Sequence, residues 1–586
     1  MPQAPRQAVF LATTALEEFW DTSIPIVFLG TWCRRFSRRT AWEHLRGETL
    51  ELPYSEEQAL ELFQSLSLLY DRILGVLADR LNSLHGVGYS RRYWEILAGP
   101  WLLYYLHATY DRYACLRSAL SSYPQLTTLC LAQECFAIPT TTLDFVQSLK
   151  SDAYNLQLYS NILRHMGRSY PCRRLHVSMP PPAPAAGYGR RMIDSVLALF
   201  EAPQQILHVD SYFPRPTLLQ LTMRTAGRFW PATSLPKPAG PVPVNREMRD
   251  KLMIAPWGEG EFDRMLFPLI ADDMPKSLLE NYALTARRIK ERCVRTPKAI
   301  FSSDSWHYDD VFKHWAARAS EGGTLLLGEQ HGGNYGSLAC LLQERHELSI
   351  TDRYYSWGWQ RKGCRAQVVP RPPAKLMGRA PIPPSAGNVT LLYILAVWPR
   401  NLLQFPLTTR YWDAYFDNLA RFLRALSPGA LARLRLRPHR EDMGWDVLER
   451  LRLIAPSVPI EKWNISLSQS LADCALFICD HPFYSTTFIE ALCVDKPTVL
   501  FHDPRLAGDR PHEDAVDAYE GLASAGILWN DPEQAAAHVN SIFEHISDWW
   551  NEAPRRKAVQ TYLQRFARTP PDAADEWARE INSLLV

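Results

Sequence analysis

Residues 471–503 read LADCALFICDHPFYSTTFIEALCVDKPTVLFHD, and no other stretch constrains the fold as strongly. Residues 475–479 are an apolar run of strand length, and Asp480, His481 and Pro482 stop it before an amphipathic stretch at 488–492. A second apolar run, 498–501, follows within a few residues. Strand, loop, helix and strand in that order make a βαβ unit, the building block of a parallel sheet. Ser485, Thr486 and Thr487 fall where strand turns into helix. Free N–H groups and the positive end of the helix dipole favour an anion at such a turn, and hydroxyls there can cradle a phosphate. Glu490 lies one turn further on, within reach of a ribose. The spacing Thr487-x-x-Glu490 also fits a capping box that merely starts a helix. The two additional hydroxyls and the preceding Asp-His-Pro tip the balance towards a ligand.

At 586 residues the chain is too long for one core, so two domains with elaborations are expected. Sixty-four basic against 62 acidic residues leave a formal charge of +2, which argues against a nucleic-acid partner. The 11 cysteines show no CxxC pair and no Cys/His zinc spacing, and read as reduced thiols with no metal site. Glu17, Glu18 and Asp21 interrupt a signal-peptide pattern, and the most apolar stretch, 93–110, contains Glu95, Gly99, Pro100 and His107. A cytoplasmic protein is expected, with room for a peripheral contact at the inner membrane.

Taken in order, residues 9–12 and 26–30 are short apolar runs that should open an N-terminal α/β domain. Thr13, Thr14 and the cluster Arg34, Arg35, Arg38 and Arg39 would stand at strand ends, where open α/β sheets keep ligands. A solvated basic face is the competing reading of the arginines. Leucines at spacings of three and four over 55–84, then a Trp-, Tyr- and Leu-rich stretch at 91–117, predict a buried helical insertion. Proline-rich breaks at 180–184 and 231–243 bound loops, and a third at 370–384 reads as a stiff linker. These breaks divide the chain into residues 1–387, 388–557 and a helical tail, 558–586, that could cross back onto the first domain.

Before the linker, a strand at 324–327 runs into Gly328-Glu329-Gln330-His331-Gly332-Gly333. Paired glycines let backbone approach a ligand, while Glu329 and His331 can each take a proton, making this the best catalytic loop in the chain. A lone loop histidine is often structural, but here the glycines and Glu329 flank it. Asp304 and His307 follow the preceding strand and could share the crevice. Beyond the linker, alternating strands and helices, with strands expected at 391–397, 434–437 and 460–463, describe a second Rossmann-like domain. Neither GxGxxG nor GxxxxGK[ST] is present. Arg435, Arg437, His439 and Arg440 gather at one strand end as a candidate phosphate anchor or a solvated edge, and Lys462 ends the next run.

Two linked Rossmann-like domains, an acid/base loop in the first and a phosphate turn in the second, resemble a glycosyltransferase of the GT-B type. The chain is more closely similar to bacterial surface-polysaccharide (O-antigen and capsule) transferases. That likeness rests on VFLATTALEEFWD, HGVGYSRRYWEILAGPW, EQHGGNYG followed by DRYYSWGW, and YSTTFIEALCVDKPTVLFHDP followed by GILWNDPEQAAAHVN, spread over residues 9–540. A more distant resemblance is to sialyltransferases and capsule Kdo transferases, which use CMP-activated ulosonic acids. Glu329-Gln-His-Gly resembles their acidic element and Ser485-Thr486-Thr487 their Ser/Thr pair. Their His-Pro element has its letters at His481-Pro482 and its place, in reversed order, at Pro438-His439. The resemblance implies a metal-independent GT-B enzyme without a cofactor, taking a nucleotide-sugar donor, CMP-linked, and a glycan or lipid-linked glycan acceptor. His331 or Glu329 would be the base. Gly332, Arg435, Arg437, His439, Arg440, Lys462, Asp480, His481, Ser485, Thr486, Thr487 and Glu490 would face the donor, and Thr13, Thr14, Asp304 and His307 the acceptor. A nucleoside-diphosphate-sugar transferase, a CDP-polyol phosphotransferase and a non-catalytic nucleotide-sugar or glycan-binding scaffold are the alternatives.

Overall fold

Beside a two-stranded parallel pair of Cys130–Leu131 with Cys172–Arg173, the short apolar runs become the strands of three larger parallel sheets in the computed structural model. It describes residues 8–585 apart from 46, 180–204, 234, 241, 254–257, 259, 295, 383–389, 397, 507 and 509. The proline-rich break at 180–184 and the boundary near Gly387 lie outside the described residues.

The first sheet holds β1 (Val9–Ala12), β2 (Ile26–Phe28), β3 (Gly47–Thr49) and β4 (Leu126–Thr127), in the order β3-β2-β1-β4. Residues 9–12 and 26–30 therefore do not open either Rossmann-like domain but form a sheet of their own. Between β3 and β4 run two long helices, α1 (Glu56–His85) and α2 (Arg91–Ser122). Ser55 and Gln58 close a capping box at the start of α1, and left-handed Gly86 ends it. α2 is buried along most of its length and on most sides, packed against α1 and the helices Asp310–Glu321 and Leu342–Ile350. Among the described residues no helix is long and apolar enough to cross a membrane.

The second sheet comprises β5 (Ile206–Val209), β6 (Phe229–Pro231), β7 (Ala299–Ser302), β8 (Leu325–Glu329), β9 (Arg353–Ser356) and β10 (Gln367–Pro370). Between β8 and β9 lies α3 (Leu342–Ile350). Its strand order is β10-β9-β8-β7-β5-β6. The third contains β11 (Leu391–Ile394), β12 (Leu434–Arg437), β13 (Leu476–Cys479), β14 (Thr498–Phe501) and β15 (Leu528–Trp529), ordered β12-β11-β13-β14-β15. Counted within each sheet, both begin 2-1-3-4-5, a doubly wound order, and together they form the two-domain GT-B architecture. Every residue of β7, β11, β13 and β14 is buried, as strands covered on both faces require.

Residues 460–463 do not form the expected strand. Ile460 makes a single bridge to Leu436, and Glu461 is drawn inward by Arg435, Arg437 and Ser470 while Lys462 and Trp463 turn outward. The C-terminal helix α4 (Ala573–Ser583) lies on the second sheet. Trp577 meets Phe213, Phe301 and Tyr355, and Glu580 binds Arg353, Arg371 and the Tyr355 hydroxyl.

Candidate active site

Open parallel sheets place ligands outside the carboxyl ends of the strands, at the point where strand order reverses. In the third sheet that point lies between β11 and β13, and a cleft of about 430 Å3 opens there. Residues following β11 (Ala396, Trp398), β12 (Pro438, His439) and β13 (His481, Tyr484, Ser485, Thr486, Thr487) line it. Trp463, 43% exposed, forms part of the wall. A half-exposed tryptophan beside other aromatic rings is a stacking platform for a planar ligand.

The charged residues predicted here divide sharply. Arg437 lines the cleft, yet its guanidinium is committed to Glu461, Ser470 Oγ and the Ile465 carbonyl, and it lies 5.0 Å over the Trp463 ring. Arg435 also turns to Glu461, at 3.4 Å, and does not line the cleft. Arg440 and Lys462 are exposed outside the cleft lining. These four depart from the expected anchor: the buried carboxylate of Glu461 captures the first two, and solvent takes the others. His439 remains on the cleft rim, its Nδ1 accepting from the Glu441 N–H. His481 supplies positive charge: burial works against it, but the Cys479 sulfur and the Asp480 carboxylate outweigh burial and raise the imidazole to about 10. Asp480 stands behind it, accepting from His481 Nδ1 at 2.7 Å and from Tyr393 Oη at 2.6 Å.

No capping box forms at the start of the helix Thr487–Cys493. Ser485 Oγ and Thr487 Oγ1 instead bond each other at 2.5 Å. Glu490, 6% exposed, does not line the cleft, because Arg379 at 2.9 Å and Lys375 at 3.4 Å hold it from the segment between the second and third sheets.

In the second sheet, strand order reverses between β5 and β7. Tyr212 follows β5, Asp304 follows β7 and His331 follows β8. The three assemble as a cluster: His331 Nε2 is 3.6 Å from Asp304 Oδ1 and 3.4 Å from Tyr335 Oη, and Tyr212 Oη donates to Asp304 at 3.2 Å. His331 Nδ1 is buried without a hydrogen-bond partner, 3.8 Å from Glu347 Oε1. That same carboxylate oxygen takes Tyr335 Oη at 2.9 Å and His307 Nε2 at 2.7 Å. His307 is therefore buried behind the cleft rather than facing an acceptor. Glu329 is likewise 1% exposed, bonded to Ser303 and to the Ala374 N–H, and burial pushes its carboxyl up to about 8. The carboxylate exposed beside His331 is Asp304, with Glu329 inside the core.

The two halves meet at the paired glycines. Gly333 N–H donates to Thr486 Oγ1 at 3.0 Å. A Cβ on Gly333 would stand 2.7 Å from Ile489 Cδ1 and 2.9 Å from the Ser485 carbonyl, so glycine is required for this approach. Gly332 is alongside, where a Cβ would stand 3.6 Å from Thr486 Oγ1. Thr13 and Thr14 lie elsewhere, buried at the end of β1 with their carbonyls bound by Trp32 and Trp20. Glu347, Tyr335, Tyr212 and Trp463 were not anticipated. Of these only Trp463, an aromatic directly after Lys462 at an expected strand end, left a trace in the sequence.

Two doubly wound sheets facing across such a junction define a GT-B-like transferase. The model of the LIC12162 family transferases matches residues 9–581, and the chain belongs to that family. No curated protein matches it significantly. Among solved structures, it is similar to the pneumococcal O-GlcNAc transferase GtfA in complex with UDP and GlcNAc, with 12% identity over 52% of this chain and 60% of that one and a TM-score of 0.32. The chain thus spans less than two thirds of that relative's length. It is also similar to a Thermobaculum terrenum O-GlcNAc transferase, with 13% identity over 91% of this chain and 99% of that one and a TM-score of 0.29. A third likeness is to WaaG, a glycosyltransferase involved in lipopolysaccharide biosynthesis, with 12% identity, coverage of 64% and 99%, and a TM-score of 0.29.

Proposed function

We propose that the protein is a glycosyltransferase that takes a sugar from a CMP-linked donor, an ulosonic acid such as Kdo, and moves it to a hydroxyl of a surface glycan. The observation carrying this reading is the hydrogen bond from Gly333 N–H to Thr486 Oγ1, which puts the His331 loop against the hydroxyl turn of the opposite sheet. A proton acceptor and an anion cradle then serve one reaction.

The nucleotide base stacks among Trp463 and Trp398, and the phosphate sits by His481 and the hydroxyls of residues 485–487. Because Arg437 is already spent on Glu461, the cleft offers modest positive charge, which suits one phosphate better than two. His331 Nδ1, turned inward towards Glu347, carries the imidazole proton and leaves the Nε2 lone pair on the side of Asp304 and Tyr335. Nε2 removes the acceptor's proton as its oxygen bonds to the anomeric carbon. The bond from that carbon to the phosphate oxygen breaks, and the electron pair leaves with CMP, stabilised by His481. No step calls for a metal or a cofactor.

Calorimetric titration of the full chain with CMP, CDP and UDP tests the donor. CMP should bind most tightly, and binding of UDP with none of CMP would overturn the reading.

A further inference from the structure

The third sheet's cleft is not held by its own domain alone. The loop 438–446, which begins at the cleft with Pro438 and His439, passes through left-handed Met443, Gly444 and Asp446 at φ 56°, 91° and 55°. Left-handed backbone is strained at residues other than glycine and persists only when the surroundings enforce it. Within the loop, Asp442 accepts from the N–H groups of Gly444, Asp446 and Val447. Further restraint comes from the connection between β2 and β3 of the first sheet. Asp446, 4% exposed, binds the Arg35 guanidinium and accepts the Ser37 N–H at 2.9 Å.

Arg400 locks the adjacent loop to the same module. Its N–H donates to the Met443 carbonyl at 3.1 Å, one guanidinium nitrogen reaches the Trp32 carbonyl and another reaches Asp152 at 2.5 Å. Trp445 Nε1 then donates to the Trp398 carbonyl at 2.8 Å, joining the restrained loop to a second wall of the cleft.

We propose that the four-stranded module is a clamp on the donor cleft, with Arg35 a positioning residue that acts through Asp446 to hold loop 438–446, and with it His439 and Trp398, ready for the nucleotide. This rests on the reading of that cleft as the donor site. Arg35 touches no donor atom; it removes the ordering cost that binding would otherwise carry.

The test compares CMP affinity, donor KM and kcat of the full-length protein with those of Arg35→Ala, Arg35→Lys and Lys150→Ala. Lys150 pairs with Glu441 on the same loop, but that carboxylate is 56% exposed. Arg35→Ala should weaken CMP binding and raise KM about tenfold with kcat within about twofold, Arg35→Lys should recover part of the loss, and Lys150→Ala should change little. Parent-like CMP affinity in a folded Arg35→Ala protein would overturn the clamp. Should that variant fail to fold, Asp446→Asn keeps the acceptor for Ser37 while removing the charge, and parent-like affinity there would overturn it equally. A parent that binds no nucleotide would instead bring down the donor reading, and the clamp with it.

Discussion

In the first sheet the segments after β1 and β2, and in the third those after β11 and β13, stand at the carboxyl ends of parallel strands. At the former Arg400 arrives from the third sheet's side and bonds the Trp32 carbonyl and Asp152, whereas the latter stays open over about 430 Å3 and is walled by aromatic rings. Topology therefore sets where a ligand could go, and side chains decide whether the place is free. One strand end has become a joint between sheets, and the other has stayed open.

The contrast is easiest to break at its functional end. His331→Ala should lower turnover by about 100- to 10,000-fold, as expected for loss of a general base, while leaving CMP affinity unchanged. Retained turnover, measured with the donor that titration identifies, would clear His331 of that role. At the joint the loss should be one of stability. Arg400→Ala leaves Asp152 without its charged partner and should cost about 3 kcal/mol, read as a lowered denaturation midpoint. If Arg400→Ala unfolds at the parent midpoint, the joint is not structural. Trp463→Ala should do the opposite, leaving the midpoint alone and weakening nucleotide binding about ten- to a hundredfold through lost stacking.

The last effect, read against pH rather than in turnover, concerns Glu329. Its carboxyl, ordinarily near 4.5, is raised to about 8 by burial, so the folded chain keeps a proton that the unfolded chain releases in between. The stabilisation is full below pH 4.5 and is lost as pH rises towards 8. Glu329→Gln should flatten that descent in Tm against pH while turnover stays measurable; an unaltered slope would show that Glu329 is not its source.

How much of this was legible in the sequence follows from range. The unit from β13 to β14 and the loop at His331 are written in contiguous apolar runs and paired glycines, which is why their positions could be read directly. Glu490 was read as facing a ribose because its captors, Arg379 and Lys375, lie more than a hundred residues upstream. Arg435 and Arg437 likewise gave no sign that Glu461 would bind them. Asp304 and His307 are near neighbours in sequence, and only tertiary packing sends one to the surface beside His331 and the other inward to Glu347. The separate first sheet was equally hidden, since two short apolar runs do not say which sheet they will join.

The position of α4 bears on how the chain can be made. Glu580 is 225 residues from Tyr355, its partner under that helix. During synthesis the aromatic face of Phe213, Phe301 and Tyr355 must wait uncovered while the whole third sheet emerges, an interval in which neighbouring nascent chains could stick to one another. Splitting the gene between the two halves would make that exposure permanent, so the halves are better produced together.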